Sequence, residues 1–243
     1  MAGGLPRNDM ARLLVHVEGE TEETFVNELL SQHLYTCSYE LVSARLIGNA
    51  RLREKRGGIR AWSTVRKDIL NHLQEDPGCL ATTMVDYYGL PQAGEKAWPG
   101  RAEAGKLPYP QKAACVEKAL SADVAEELGG EFESRRFLPF VVMHEFEGLL
   151  FSDCRAFADG IGRPQLAQPF RNIRQQFATP EEIDDSPITA PSKRVEALIE
   201  GYAKPLFGTL AALKIGLPTM REECPHFRDW LVQLEAWPKQ HGA

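Results

Sequence analysis

The sequence contains no apolar run that approaches the roughly 20 residues of a membrane-spanning helix. Its first residues, MAGGLP, also lack the basic start and the long apolar segment of a secretory signal peptide. The 5 cysteines are dispersed without a CxxC pair, which disfavours a disulfide framework or a zinc site and favours reduced thiols. We therefore expect a cytoplasmic protein that does not engage a membrane.

An excess of positive charge is absent as well. The 28 Lys and Arg residues are outnumbered by 34 Asp and Glu residues, which gives a formal net charge of -6. Such a protein has no general attraction for nucleic acid, so a nucleic-acid partner would require a local basic patch. The segment 48–60 contains two adjacent glycines and a cluster of basic residues, which are Arg51, Arg53, Lys55, Arg56 and Arg60. It is either a solvated charged loop or a loop that contacts phosphate.

Short apolar runs alternate with segments of helical periodicity over the first two thirds of the chain. The predicted strands and helices are, in chain order, 13–17, 21–35, 41–47, 61–73, 80–86, 111–128, 137–143 and a helix beginning at 148. Alternation of this kind predicts the α/β class, with a mostly parallel four-stranded sheet flanked by helices.

The pattern changes after residue 153. Prolines recur, strand patterns disappear and helical periodicity dominates. We therefore predict an α/β core at 10–155 and a helical C-terminal extension at 156–243 that packs on this core.

Acidic residues follow three of the predicted strands: Glu18, Asp86, and the pair Glu145 and Glu147. Neighbouring parallel strands lie about 4.8 Å apart, so acids at their carboxyl ends can converge. Convergent carboxylates repel one another unless a cation neutralises them, and hard oxygen ligands favour Mg²⁺ or Mn²⁺. These four residues are therefore the candidate metal ligands and catalytic residues. Glu145 and Glu147 share a face only in an extended chain, so the pattern leaves open whether both are ligands.

These residues lie in motifs with a family resemblance. VEGETE at 17–22 and the Asp86 that closes the third strand resemble the Toprim fold of topoisomerases, primases and overcoming-lysogenization-defect nucleases. Over almost the whole chain, the sequence resembles an uncharacterised bacterial Toprim-like family, a domain of unknown function, in the motifs VEGETEE, VDYYGLP, HEFEGLLFSD, PSKR and CPHFRDW. Members of this family are often encoded beside an AAA- or ABC-type ATPase. The resemblance implies an ATPase partner and a role in phage defence.

The resemblance also assigns residues. Glu18 matches the Toprim glutamate and Asp86 the first acid of the Asp-x-Asp motif, but Tyr88 stands where the second acid is expected. Glu145 or Glu147 supplies the missing carboxylate, or the site binds a single metal, or the chain is a catalytically inactive scaffold. Three further basic residues are candidates for phosphate contact or for charges that complement helix ends: Lys193, Arg194 and Lys204.

Three functions follow from these patterns. The leading hypothesis is a Mg²⁺- or Mn²⁺-dependent Toprim-type nuclease that cleaves DNA or RNA together with an ATPase. The first alternative is a non-catalytic subunit that binds nucleic acid or the ATPase through a degenerate Toprim site. The second is a nucleotidyl- or phosphotransferase that uses the same carboxylates.

Overall fold

The computed structural model describes residues 11–47, 59–183, 186 and 188–241. Most of the predicted basic segment, including Arg51, Arg53, Lys55 and Arg56, lies outside these residues. None of the helices among the described residues combines the length and the hydrophobicity of a membrane span.

A parallel sheet forms the centre of the fold. Strand β1 (Ala11–Val17) lies between β2 (Tyr39–Leu46) and β3 (Cys79–Asp86) and pairs with both in parallel. The edge of β3 opposite β1 pairs in parallel with two short strands, β4 (Phe137–Leu138) and β5 (Val141–Val142). The predicted α/β class with a mostly parallel sheet is confirmed.

The strand predicted at 137–143 is interrupted in its middle, at Pro139 and Phe140. Proline has no N–H group to donate to a sheet ladder, so an unbroken strand is disfavoured here. A side chain replaces the lost pairing: Thr83 Oγ1 accepts a hydrogen bond from the Phe140 N–H at 3.0 Å and lies 2.9 Å from the Phe140 carbonyl oxygen. The two halves of the predicted strand therefore remain attached to β3.

Helices connect the strands. After β1 the chain forms α1 (Glu20–Phe25), a π-helical turn (Val26–Leu30) and α2 (Ser31–Tyr35) without a break, over the segment predicted as one helix. The later connections contain α3 (Trp62–Glu75), the short α4 (Arg101–Ala104) and α5 (Gln111–Leu128), together with 3₁₀ turns at Tyr87–Gly89, Gly94–Lys96 and Ser134–Arg136.

The remainder of the chain is helical. Its helices are α6 (Phe146–Leu150), α7 (Cys154–Gly160), α8 (Ala167–Arg174), α9 (Pro191–Glu196), α10 (Lys204–Ile215), α11 (Leu217–Glu223) and α12 (Pro225–His241), with 3₁₀ turns at Pro164–Leu166 and Pro180–Glu182. Helical periodicity at 192–201, 205–215 and 225–234 predicts α9, α10 and α12. Helices α7, α8 and α11 were not predicted from the sequence, because their apolar residues lie in short segments separated by proline and glycine.

The sheet is covered by apolar residues on both faces. Successive side chains of a strand point to opposite faces, so Leu80 and Met84 join one buried cluster whereas Ala81 and Val85 join the other. The first cluster contains α1 and the C-terminal helices as well as β1. The second contains the apolar faces of α3 and α5. The C-terminal helices therefore share one core with the central strand.

Close contact between α1 and α10 depends on Gly208. A Cβ atom added at Gly208 would lie 2.9 Å from Cγ2 of Thr21, which is buried and has a β-branched, stiff side chain. We expect Gly208→Ala to lower the free energy of unfolding by about 1–3 kcal/mol through overpacking, even though alanine favours the helix. Urea denaturation measures this change.

The matched background for that test is Thr21→Ser, which removes Cγ2. In that background Gly208→Ala should be neutral or stabilising, because the steric conflict is gone and only the helix propensity remains. Equal destabilisation in both backgrounds would exclude the contact with Thr21 as the cause.

Candidate functional site

The carboxyl ends of β1 and β3 place two acids side by side. Val17 pairs with Met84 in the parallel register, so Glu18, which follows Val17, lies level with the last residues of β3, which ends at Asp86. The Asp86 backbone donates a hydrogen bond to the Glu18 carboxylate. Two residues that are distant in sequence therefore meet at one edge of the sheet, as the strand pattern predicts.

Two further acids reach the same edge from the start of α6. Glu145 has an extended backbone and directly precedes the helix, whereas Glu147 lies in its first turn. The helix is attached to β3 because the Phe146 N–H donates a hydrogen bond of 2.8 Å to Asp86 Oδ1. Glu145 and Glu147 are 7% and 3% exposed, so both carboxylates lie inside the protein.

A fifth acid, Glu22, was not predicted to belong to the site. The sequence interpretation placed it in the first turn of a helix, where an acid suits the helix dipole. It is only 6% exposed, and its carboxylate interacts electrostatically with Glu18 and Glu147. Helical side chains lean toward the N-terminus of their helix, so the third residue of α1 projects back toward Glu18. This lean of the side chain was the sequence signal that could have identified Glu22 as a member of the site. We call Glu18, Glu22, Asp86, Glu145 and Glu147 the acidic cluster.

Lys204, the first residue of α10, supplies positive charge to the acidic cluster. Its Nζ donates a hydrogen bond of 3.1 Å to Glu147 Oε2 and lies 4.0 Å from Glu145 Oε1. The Ser192 N–H donates a hydrogen bond of 2.8 Å to the other oxygen of Glu145. The carboxylates of Glu145 and Glu147 are therefore already engaged by groups of the protein.

Glu18, Glu22, Asp86 and Glu147 resist ionisation. Burial is the largest cause and raises the pKa of Glu18, Asp86 and Glu147, and the neighbouring carboxylates raise these values further. Burial, together with the charges of Glu18 and Glu147, raises the pKa of Glu22 to about 7. Burial alone would lower the pKa of Lys204, but Glu147, Asp86 and Glu145 outweigh it and raise that pKa, so the ammonium stays charged.

Two buried polar atoms at this site have no hydrogen-bond partner among the described residues: Glu18 Oε2 and the hydroxyl oxygen of Tyr202. Tyr202 belongs to the same neighbourhood, because the charges of Glu147 and Glu145 act on its hydroxyl. Buried polar atoms are nearly always paired with protein, water or an ion. An unpartnered carboxylate oxygen is therefore an observation in favour of a bound cation or water.

The donor chemistry of the acidic cluster fits a hard divalent cation. No three His, Cys, Asp or Glu side chains in the described part of the chain are arranged to hold one ion. Mg²⁺ does not require three, because it is commonly bound by one or two carboxylates while waters and substrate phosphates complete its coordination. Glu18 and Asp86 are the pair that fits this arrangement, whereas Glu145 and Glu147 contact Ser192 and Lys204.

The basic residues that the sequence assigned to nucleic acid lie in different environments. Lys204 contacts the acidic cluster, while Lys193 is exposed and forms an ion pair of 2.6 Å with Glu196 in its own helix. Arg194 donates a hydrogen bond of 2.8 Å from Nε to the Thr189 carbonyl. Arg60 is exposed, and its carbonyl accepts a hydrogen bond from the Trp98 indole. Lys193 nevertheless lies within electrostatic range of Lys204 and of Glu145.

His144 and Tyr88 make contacts around the turn that follows β3. The His144 ring is buried, and its Nδ1 lies 2.6 Å from the Ile183 carbonyl oxygen. The Tyr88 N–H donates a hydrogen bond of 3.0 Å to the His144 carbonyl. The second contact fixes the backbone that follows Asp86.

A family comparison covers the whole site. The model of the family described as Domain of unknown function (DUF4276) matches residues 17–235, which include every member of the acidic cluster and Lys204. The chain belongs to this family. No curated protein and no solved structure matches the DUF4276 chain. Family membership agrees with the resemblance to a domain of unknown function, and the Toprim relationship and the ATPase partner stay predictions.

Proposed function

We propose that this DUF4276 chain is a Mg²⁺- or Mn²⁺-dependent phosphodiesterase that acts on DNA or RNA. The observation that carries the proposal is the convergence of acids from three separate strand ends on one buried site, where Glu18 Oε2 has no partner. Acids gathered in this way repel each other and favour a bound cation. The resemblance to Toprim nucleases supports the same chemistry and adds an ATPase as the proposed partner, with a proposed role in phage defence.

Each residue of the site would have a distinct role. Glu18 and Asp86 would hold the cation, which supplies an activated water and stabilises the negative charge that develops on the phosphodiester. Glu147 holds the Lys204 ammonium at 3.1 Å, so Lys204 carries a fixed positive charge beside the proposed metal ligands. Glu145 attaches the start of α6 to α9 through the Ser192 N–H. Glu22 interacts electrostatically with Glu18 and Glu147 and, when ionised, would add negative charge beside the cation.

Metal binding and cleavage by the purified chain test the proposal. We expect Mn²⁺ to bind in calorimetry and labelled single- or double-stranded DNA or RNA to be cleaved. Asp86→Asn and Glu18→Gln should each abolish detectable metal binding and lower the cleavage rate by about 100-fold or more. Glu126→Gln, which changes an exposed carboxylate of α5, is the matched control and should behave as wild type. Cleavage that persists unchanged in Asp86→Asn would overturn the assignment.

A non-catalytic binding subunit is the second candidate. The observation that favours it is Lys204, which already places a cation within the acidic cluster, together with the tyrosine at position 88 where the resemblance expects an acid. On this account the site would be stable without metal. Calorimetry separates the two functions, because the absence of Mn²⁺ binding at millimolar concentration supports the binding subunit.

A further inference from the structure

A cavity of about 760 Å³ opens beside Tyr88, on the turn that follows β3. Its size lies in the range of small-molecule and cofactor sites. The described residues that line it include Tyr88, Gln92, Arg101, Lys106 and Lys112. Three of these are basic, and none of the described lining residues is acidic. The described wall of the cavity therefore carries positive charge in a protein whose net charge is -6.

Two basic residues on the wall of this cavity, Arg101 and Lys112, are held against Tyr87. Arg101 is 4% exposed, donates a hydrogen bond of 3.1 Å from Nε to the Tyr87 carbonyl, and donates another of 3.0 Å from Nη1 to the Tyr87 hydroxyl. Lys112, from α5, lies 5.6 Å from the centre of the same ring. Two of the three basic residues of the cavity, Arg101 and Lys112, therefore lie against the residue that directly follows Asp86.

The cavity and the acidic cluster are adjacent. Gly89 ends the turn and lies against the cluster, since a Cβ atom added there would be 3.4 Å from Glu18 Oε2. Tyr88 lies two residues after Asp86, so their Cα atoms are at most about 7.6 Å apart. The same short turn therefore borders both the candidate metal ligands and the basic cavity.

We propose that this cavity binds a backbone phosphate of the nucleic-acid strand whose neighbouring phosphodiester reaches Glu18 and Asp86. The inference rests on the proposed function and names how that site holds its substrate. The acidic cluster repels a polyanion, so attraction must come from nearby cations, and Lys106 and Lys112 are placed to supply it. A cavity of this size exceeds what a single inorganic phosphate requires. The Tyr88 hydroxyl is a donor for the same phosphate.

Binding measured without metal tests this proposal separately from cleavage. The assay is fluorescence anisotropy in EDTA with labelled oligo-dT and oligo-rU of about ten nucleotides, over a range of salt concentrations. We expect Lys106→Glu and Lys112→Glu each to weaken binding about 5-fold or more and to lower the salt dependence by about one released counterion. Lys118→Glu makes the same charge change at an exposed position of α5 outside the cavity and should change binding less than about 2-fold.

Each outcome has one meaning. Selective loss of binding in the two cavity variants supports the proposal, even if no metal produces cleavage, in which case the proposed function alone fails. Equal effects of Lys106→Glu and Lys118→Glu, or no binding of either oligonucleotide by the wild-type chain, overturn the cavity assignment while cleavage can still stand. Competition by inorganic phosphate or a nucleoside monophosphate at the oligonucleotide's own affinity would assign the cavity to a small ligand instead.

Discussion

Replacing Glu22 with glutamine is expected to raise the free energy of unfolding by about 3 kcal/mol at pH 8 and to leave it nearly unchanged at pH 4. Burial raises the pKa of Glu22 from 4.5 to about 7 in the folded protein. Between these values the unfolded chain releases the proton while the folded chain retains it, so stability falls as pH rises from about 4.5 to 7. A glutamine at position 22 stays neutral at both pH values, so the variant does not lose this part of its stability as pH rises.

Urea denaturation at pH 4 and pH 8, in EDTA, measures the effect. The control is Glu28→Gln, which removes an exposed carboxylate from the same helical segment and should not change the pH dependence. Glu18, Asp86 and Glu147 also have raised pKa values, so a smaller fall in stability with pH should remain in the Glu22→Gln variant. A variant no more stable than wild type at pH 8 would show that Glu22 is solvated in solution.

The second large effect is expected at Lys204. We expect Lys204→Met to lower the free energy of unfolding by about 2 kcal/mol at pH 8, because it leaves the buried Glu147 carboxylate without its partner at 3.1 Å. The side chain is 40% exposed, so solvent screening makes this smaller than the loss of a fully buried pair. The loss should shrink at pH 4, because the raised pKa of Glu147 favours its neutral form there and a neutral carboxyl group does not require the Lys204 charge.

Divalent cation should restore part of the stability that Lys204→Met removes. A ligand that binds only the folded state stabilises it by mass action, and the variant offers a more negative site. Thermal unfolding with and without Mn²⁺ gives this measurement. Lys214→Met, at an exposed position of the same helix, is the matched control and should change neither stability nor its dependence on Mn²⁺. If the two lysine variants behave alike, Lys204 does not stabilise the acidic cluster.

Local patterns in the sequence determined the class of fold and identified four of the five acids of the cluster, of which Glu18 and Asp86 are the clearest. Apolar runs of strand length mark β1 and β3, and each ends directly before or at an acid, Glu18 or Asp86. Once such strands are parallel and adjacent, their carboxyl ends must share one edge of the sheet. The helix at Gln111–Leu128 was also readable from spacing alone, because eighteen residues contain enough turns to show an apolar face.

Contacts between distant segments decided the rest. The burial of Glu22 depends on α6 and α10 packing over α1, and the place of Lys204 depends on the approach that Gly208 permits. The basic cavity likewise combines residues of α4 and α5 with the turn after β3. Periodicity reports which side of an element is buried but not which other element covers it. The charges that surround Glu18 and Asp86 were therefore fixed only by tertiary packing, which brings groups far apart in sequence within electrostatic range.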